Sequence, residues 1–242
     1  MIDLHSPSIN KSAINYFKKC IKSGWVSTGG NYVTQFEKEI AKFTGAKFAI
    51  ACNSGTSALH LTLLALNVEK EDEVLIPGYS FVATANAISY VNAKPHFVDV
   101  ENNSLGIDAT KLKRRLKLIS KIKNGFCYNK ITNRKIAAII PVHVFGHPCK
   151  IDEIIAIAKS FKIKVIEDAA ESIGSVFKNK HSGTFGDLGI ISFNGNKTIT
   201  TGAGGAVIIN KLKYRKIINH LGTTSKIPHK WEYIHDKVGY NY

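Results

Sequence analysis

Six short apolar runs, at residues 48–52, 74–76, 95–100, 136–142, 164–168 and 188–193, are for the most part separated by segments of helical spacing. This order constrains the fold more than any other feature of the chain. Each run is short enough to be a strand and too short to be a buried helix. Strands joined through helices pair side by side in one direction, with the helices packed on the faces of the sheet. The expectation is one α/β domain with a mainly parallel central sheet flanked by helices. No composition break and no repeat of fixed period divides the 242 residues.

The helical segments carry their own stops. Ile14, Phe17 and Ile21 mark a helix over 10–22 that Gly24 ends. Val33, Phe36, Ile40 and Phe43 mark a second, ended by Gly45. Asp108 caps a helix running through Leu116, Asp152 begins one reaching Phe161, and a basic helix covers 211–221. Residues 119–135, rich in Lys and Asn, have no period and read as a surface excursion. The aromatic- and His-rich residues 222–242 have no convincing period either.

The sixth run stops at Ser192-Phe193-Asn194-Gly195-Asn196-Lys197, and Thr-Thr-Gly-Ala-Gly-Gly leads into a seventh apolar run at 206–209. Glycines let the backbone turn and pass close to another group. A lysine held there is either a solvated hairpin residue or a desolvated nucleophile. Three other places bear on that choice. Asn53-Ser54-Gly55-Thr56-Ser57 lies between a strand and an apolar helix. It is either an ordinary cap by Ser54 or Thr56, or a phosphate cradle at a helix N-terminus. Phe81 stands at the mouth of another helix, as core or as a ring-stacking lid. Glu167-Asp168 ends a buried strand, and Glu171 follows. Carboxylates at that end of an α/β strand face a ligand crevice, the plain alternative being a capping aspartate. Together, Lys197, Asp168, the Gly55-Thr56 turn and Phe81 meet the needs of an aldehyde-bearing, phosphorylated pyridine ring.

Lys and Arg outnumber Asp and Glu by 33 to 18, a formal charge of +15. A basic balance attracts anions, but no aromatic-interleaved basic stripe or zinc-finger spacing is present, so no nucleic-acid partner is expected. The densest basic run, 111–123, reads as a solvated helix and loop. His143 and His147 are separated by Gly146 and followed by Pro148, which argues against a shared metal-binding helix face, and no metal is expected. Cys20, Cys52, Cys127 and Cys149 are scattered and form no C-x-x-C. No apolar stretch is long enough to span a membrane, and no signal peptide is evident. A cytoplasmic location in a reducing compartment, without a membrane partner, is the expectation.

These residues resemble the DegT/DnrJ/EryC1/StrS family of sugar-nucleotide aminotransferases. The resemblance runs from Gly24-Trp25-Val26-Ser27-Thr28-Gly29 to the last residue. It rests on Asn53-Ser54-Gly55-Thr56-Ser57-Ala58-Leu59, Ser80-Phe81-Val82-Ala83-Thr84, Pro141-Val142-His143, Glu167-Asp168-Ala169-Ala170-Glu171 and the stretch 192–206. It implies the type I, aspartate-aminotransferase-like fold and pyridoxal 5'-phosphate (PLP) as cofactor. It makes Lys197 the Schiff-base lysine and proton carrier, and Asp168 the partner of the pyridinium nitrogen. Gly55, Thr56 and Ser192 become phosphate donors, Phe81 the stacking ring, and Glu171 a neighbour of the ring hydroxyl. Asn241, in Gly239-Tyr240-Asn241-Tyr242, matches an asparagine that reaches the phosphate of a neighbouring subunit, so a homodimer with shared sites is implied.

The Phe-Asn-Gly-Asn-Lys variant and Pro-Val-His-Val-Phe-Gly-His-Pro look most like one subgroup, on routes to legionaminic acid or bacillosamine. Its members move an amino group from glutamate to C4 of a UDP-linked 4-keto-6-deoxy N-acetylhexosamine, in a ping-pong reaction. Family members continue beyond Gly-Tyr-Asn-Tyr into a small C-terminal domain. Residues 1–242 are therefore expected to be an N-terminal segment plus the PLP-binding large domain, without the small one. Two alternatives accompany this reading. One is a non-catalytic remnant or binding subunit of the same fold. The other is a PLP-dependent sugar dehydratase, in which histidine replaces the lysine.

Overall fold

The computed structural model describes residues 6–242. Helix α1 (Lys11–Ser23) starts at Asn10, whose side chain accepts from the Ala13 N–H at 2.9 Å, and ends at Gly24 in the left-handed conformation. Helix α2 (Asn31–Thr44) ends in the same way at Gly45. Next come β1 (Phe48–Cys52), α3 (Gly55–Ala65), β2 (Glu73–Pro77), α4 (Val82–Tyr90), β3 (Lys94–Val98) and α5 (Ala109–Ile119). Hairpin strands β4 (Ser120–Lys123) and β5 (Phe126–Asn129) precede β6 (Ile136–Ile139), α6 (Ile151–Ser160) and β7 (Lys164–Asp168). A short hairpin of β8 (Val176–Phe177) and β9 (Lys180–His181) leads to β10 (Leu188–Ser192), β11 (Gly205–Ile209) and α7 (Leu212–Gly222). The chain closes with β12 (Lys226–Ile227) and β13 (Ile234–His235).

Among the described residues, seven strands form the central sheet in the order β1-β11-β10-β7-β6-β2-β3. Only β11 runs against its neighbours; the other adjacent pairs are parallel. The α/β expectation is met, with each apolar run in place. Alternation along the strands divides the core between the two faces. Val74 and Ile76 of β2 and Val207 and Ile209 of β11 pack with Leu59 and Leu63 of α3, Ile88 of α4 and Ile218 of α7. On the other face Leu75 of β2 and Val165 of β7 meet Leu112 and Leu116 of α5 and Ile154 and Ile157 of α6. Ala206 and Ile208 meet Ile40 of α2 on that face.

Two segments without a period are more ordered than the sequence pattern suggests. The surface excursion at 119–135 contains the ordered β4–β5 hairpin, turned by Asn124 (φ 51°) and Gly125 (φ 81°) and anchored by buried Cys127 and Asn129. The pair of positive φ values is what a tight hairpin turn demands. The tail 222–242 is also tied down. Tyr240 and Tyr242 stack at 5.3 Å between ring centroids and pack against buried His60 of α3. Helix α1, by contrast, buries none of its residues and leaves Ile14, Phe17 and Ile21 exposed.

Candidate active site

A cavity of about 470 Å³ opens where β6, β7 and β10 end and α3 begins. Ser54 caps α3, its Oγ accepting from the Ser57 N–H at 3.0 Å. That cap leaves the N–H groups of Gly55 and Thr56 at the positive end of the helix without an intrahelical acceptor. Both residues line the cavity with Ser192, the last residue of β10. A Cβ at Gly55 would stand 3.0 Å from the Ser192 Cβ, tighter than side chains ordinarily pack. The sequence left a cap and a phosphate cradle as alternatives; Ser54 does the capping, and the Gly55, Thr56 and Ser192 donors are left facing the cavity.

Asp168 ends β7 and is buried at the cavity wall. Its Oδ2 accepts from Thr84 Oγ at 2.8 Å and its Oδ1 from the Ala170 N–H at 3.2 Å. Burial pushes the carboxyl pKa up, and Thr84, Ala170 and the charge of Lys197 offset only part of that. Thr84 is buried in the first turn of α4 and is hydrogen-bonded to Ser80 at 2.8 Å. It is a site residue to which the sequence reading assigned no role. The signal was its place three residues after Phe81, one helical turn along the same face.

Lys197 sits in the loop between β10 and β11, its N–H bonded to the Asn194 carbonyl at 3.0 Å. Its Nζ donates to Glu171 Oε1 at 2.9 Å and stands 5.9 Å from the centroid of the Phe81 ring. The lysine side chain is only 12% exposed. The solvated-hairpin reading therefore gives way to a partly desolvated amine. Glu171 Oε2 also accepts from the Phe145 N–H at 2.9 Å, so one carboxylate ties the lysine to the turn Val144–Gly146. Phe145 adopts φ 51° there, and its neighbour Gly146 has φ 80°. Phe81, the N-cap of α4, is 74% exposed at the cavity mouth and is not core.

The acidic pair of the sequence reading splits. Alternation along β7 sends Asp168 to the cavity and Glu167 to the opposite face. Glu167 is fully buried, accepting from the N–H groups of Gly183 at 2.9 Å and of Phe185 and Gly186 at 2.6 Å each. His143 Nε2 donates to it at 3.0 Å, while His143 Nδ1 accepts from the Cys149 N–H at 3.2 Å. Both ring nitrogens are thus committed. No group of three or more His, Cys, Asp or Glu side chains suited to a metal ion occurs among the described residues. Asn241 does not line the cavity of its own chain; it is exposed and bridged to Thr223.

Residues 7–242 match the DegT/DnrJ/EryC1/StrS aminotransferase family, and the chain belongs to it. It is 40% identical over 242 residues to GDP-perosamine synthase of Escherichia coli O157:H7, covering all of this chain and 62% of that protein. It is 37% identical over 245 residues to UDP-4-amino-4,6-dideoxy-N-acetyl-beta-L-altrosamine transaminase of Campylobacter jejuni, covering all of this chain and 60% of that one. The PLP form of a putative sugar aminotransferase from Streptococcus pneumoniae superposes with a TM-score of 0.84 at 25% identity, covering 99% of this chain and 62% of that structure. The chain thus spans about three fifths of the length of these relatives. The family depends on PLP, and its neighbours in structure share this α/β sheet.

Proposed function

We propose that this chain forms the PLP-binding part of a sugar-nucleotide aminotransferase, with glutamate as amino donor and a nucleotide-linked 4-keto-6-deoxy sugar as acceptor. The observation that carries the reading is the convergence on one cavity of Lys197 Nζ, buried Asp168, the free first-turn N–H groups of α3 and the exposed Phe81 ring. These groups fit the cofactor in kind. Gly55, Thr56 and Ser192 would hold its phosphate, since a helix N-terminus with a close hydroxyl suits a dianion. Phe81 would cover one face of its ring, and Asp168 would hold the proton on its nitrogen. When bound, PLP supplies a carbonyl for amines and a ring that takes up the electrons freed when a proton leaves the substrate carbon.

The chain's own residues do the rest. Lys197 Nζ, partly shielded from water, is the group placed to carry a proton, and Glu171 holds it in position and steadies its charge. Thr84 and Ala170 fix both oxygens of Asp168, so that its charge meets a ring proton without reorganisation. A second copy of the chain is part of this proposal. Exposed Asn241 would reach the partner's phosphate, and the bare apolar stripe of α1 offers surface for association. The UDP-linked N-acetylhexosamine is the specific acceptor proposed; the GDP-linked alternative is kept because a relative is named for one.

The test begins with cofactor. Purified chain incubated with PLP is expected to gain a visible absorbance band, and borohydride is expected to fix the cofactor to the Lys197 peptide. Lys197→Ala should lose the attachment and at least about 10³-fold of any amino transfer. Glutamate with UDP- and GDP-linked 4-keto sugars then separates the acceptors. A chain that takes up no PLP would overturn the proposal.

A further inference from the structure

The end of the sheet opposite the cavity has a charge and surface pattern that the proposed reaction does not use. Between Asp108 and Asp152 the chain contains no acidic residue, while residues 109–135 hold ten Lys and Arg. Three of the ten are ion-paired: Lys111 with Asp99, Arg134 with Glu71 and Lys135 with Asp72. The other seven, on the outer face of α5 and on the β4–β5 hairpin, pair with no carboxylate among the described residues. Helix α5 turns Leu112, Leu116 and Ile119 into the core, so its cations are forced outward.

Apolar side chains stand among these charges. Leu118 and Ile131 are each 70% exposed, and Ile122 and Phe126 about half. The Lys130 ammonium reaches back to the Leu118 carbonyl at 3.5 Å, which joins the end of α5 to the hairpin as one surface. Phe126 also borders a groove of about 880 Å³ where β6 and β7 begin. Ile155, Phe185 and Ile217 line it together with Lys159, Lys162 and Lys213. Its acids are Glu69 and Asp187, the latter already bonded to Lys164 and Lys211.

We propose that this end of the sheet docks on an anionic lipid bilayer, with the end of α5 and the β4–β5 hairpin as its footprint. Unpaired cations alone would suit any polyanion. Leu118 and Ile131, each 70% exposed, decide between them. A nucleic-acid backbone offers aliphatic groups nothing, whereas the boundary between headgroups and acyl chains takes up both the charge and the apolar side chains. The cavity lies at the other end of the strands, so docking leaves it open to solvent. The association is peripheral, since no described helix is long and apolar enough to cross a membrane.

The test is co-sedimentation of the full chain with vesicles of phosphatidylglycerol and phosphatidylcholine, against phosphatidylcholine alone. Binding is expected only to the anionic vesicles, and it should weaken with salt. Lys121→Ala with Lys123→Ala and Lys130→Ala should weaken it about 100-fold. Leu118→Ser with Ile131→Ser, which leaves the charge unchanged, should weaken it at least about 10-fold. All five positions are exposed, and circular dichroism checks that both variants remain folded. Failure to bind anionic vesicles, or equal binding to neutral ones, would overturn the proposal. So would a serine variant that binds like the parent, because the surface would then be a plain charge patch of the kind that nucleic acid uses.

Discussion

At the start of β2, Glu73 is buried and accepts hydrogen bonds from His96 at 2.8 Å, from Asn129 at 2.9 and 3.2 Å, and from Thr132. At the end of β7, Asp168 is also buried but has two donors, Thr84 and Ala170. Burial raises the pKa of both. At Glu73 the hydrogen bonds outweigh it and bring the pKa down to about 2; at Asp168 burial wins and the pKa stays up. A saturated carboxylate anchors the fold, here pinning the β5 side of the hairpin to the sheet. A carboxylate left short of donors has capacity for a ligand, and that is the one facing the cavity.

Exchanging each acid for its amide tests the contrast. Asp168→Asn keeps the shape and removes the charge. It is expected to lower amino transfer by about 10²–10³-fold, read in steady-state assays with added PLP. The same change should stabilise the cofactor-free protein at neutral pH, because a raised carboxyl pKa means that folding opposes ionisation. Glu73→Gln should do the reverse: cofactor uptake retained, and stability lower by about 2–3 kcal/mol in urea titrations. If both amides shift stability in the same direction, the contrast fails.

The pH profile should separate the two further. Glu73 has a folded pKa below its unfolded value of 4.5, so its contribution is full above that value and is lost as pH falls toward about 2. Asp168 has the opposite sign, favouring the folded state more as pH falls through its raised pKa. Glu73→Gln should therefore flatten the acid limb of the stability curve, and Asp168→Asn should steepen it. The smallest effect is expected of Thr84→Val, which takes one donor from Asp168. It should lower amino transfer by about 10-fold and leave the fold intact.

Most of the architecture was legible because strands and helices announce themselves by period, and because Asn10, Ser54, Asp108, Gly24 and Gly45 act locally. Lys197, Asp168, Phe81, Gly55, Thr56, Glu171 and Ser192 do line one cavity. What escaped was what distant residues decide. Glu167 and Asp168 are neighbours in sequence, and only the loop at 183–186 and His143 show why one is sealed away. Thr84 looks like any helix threonine until Asp168 arrives beside it. The β4–β5 hairpin carries no strand-like period because its pattern is interrupted by lysines and by Asn129, which turns inward to reach Glu73. Its Asn124-Gly125 turn was the local clue.

The placement of β11 also bears on the order of assembly. Strands β10 and β11 are joined by the lysine loop and can pair locally, while β1 joins the sheet only through β11, from the far end of the sequence. Helix α3 and its free N–H groups follow directly from β1. The lysine loop and the first turn of α3 therefore meet only when the longest loop between paired strands of the sheet closes, a step that is slow for entropic reasons. A cofactor held in the proposed way would bind after this closure, so it is not expected to act as an early template for folding. Its main kinetic effect should then be to slow unfolding rather than to speed folding.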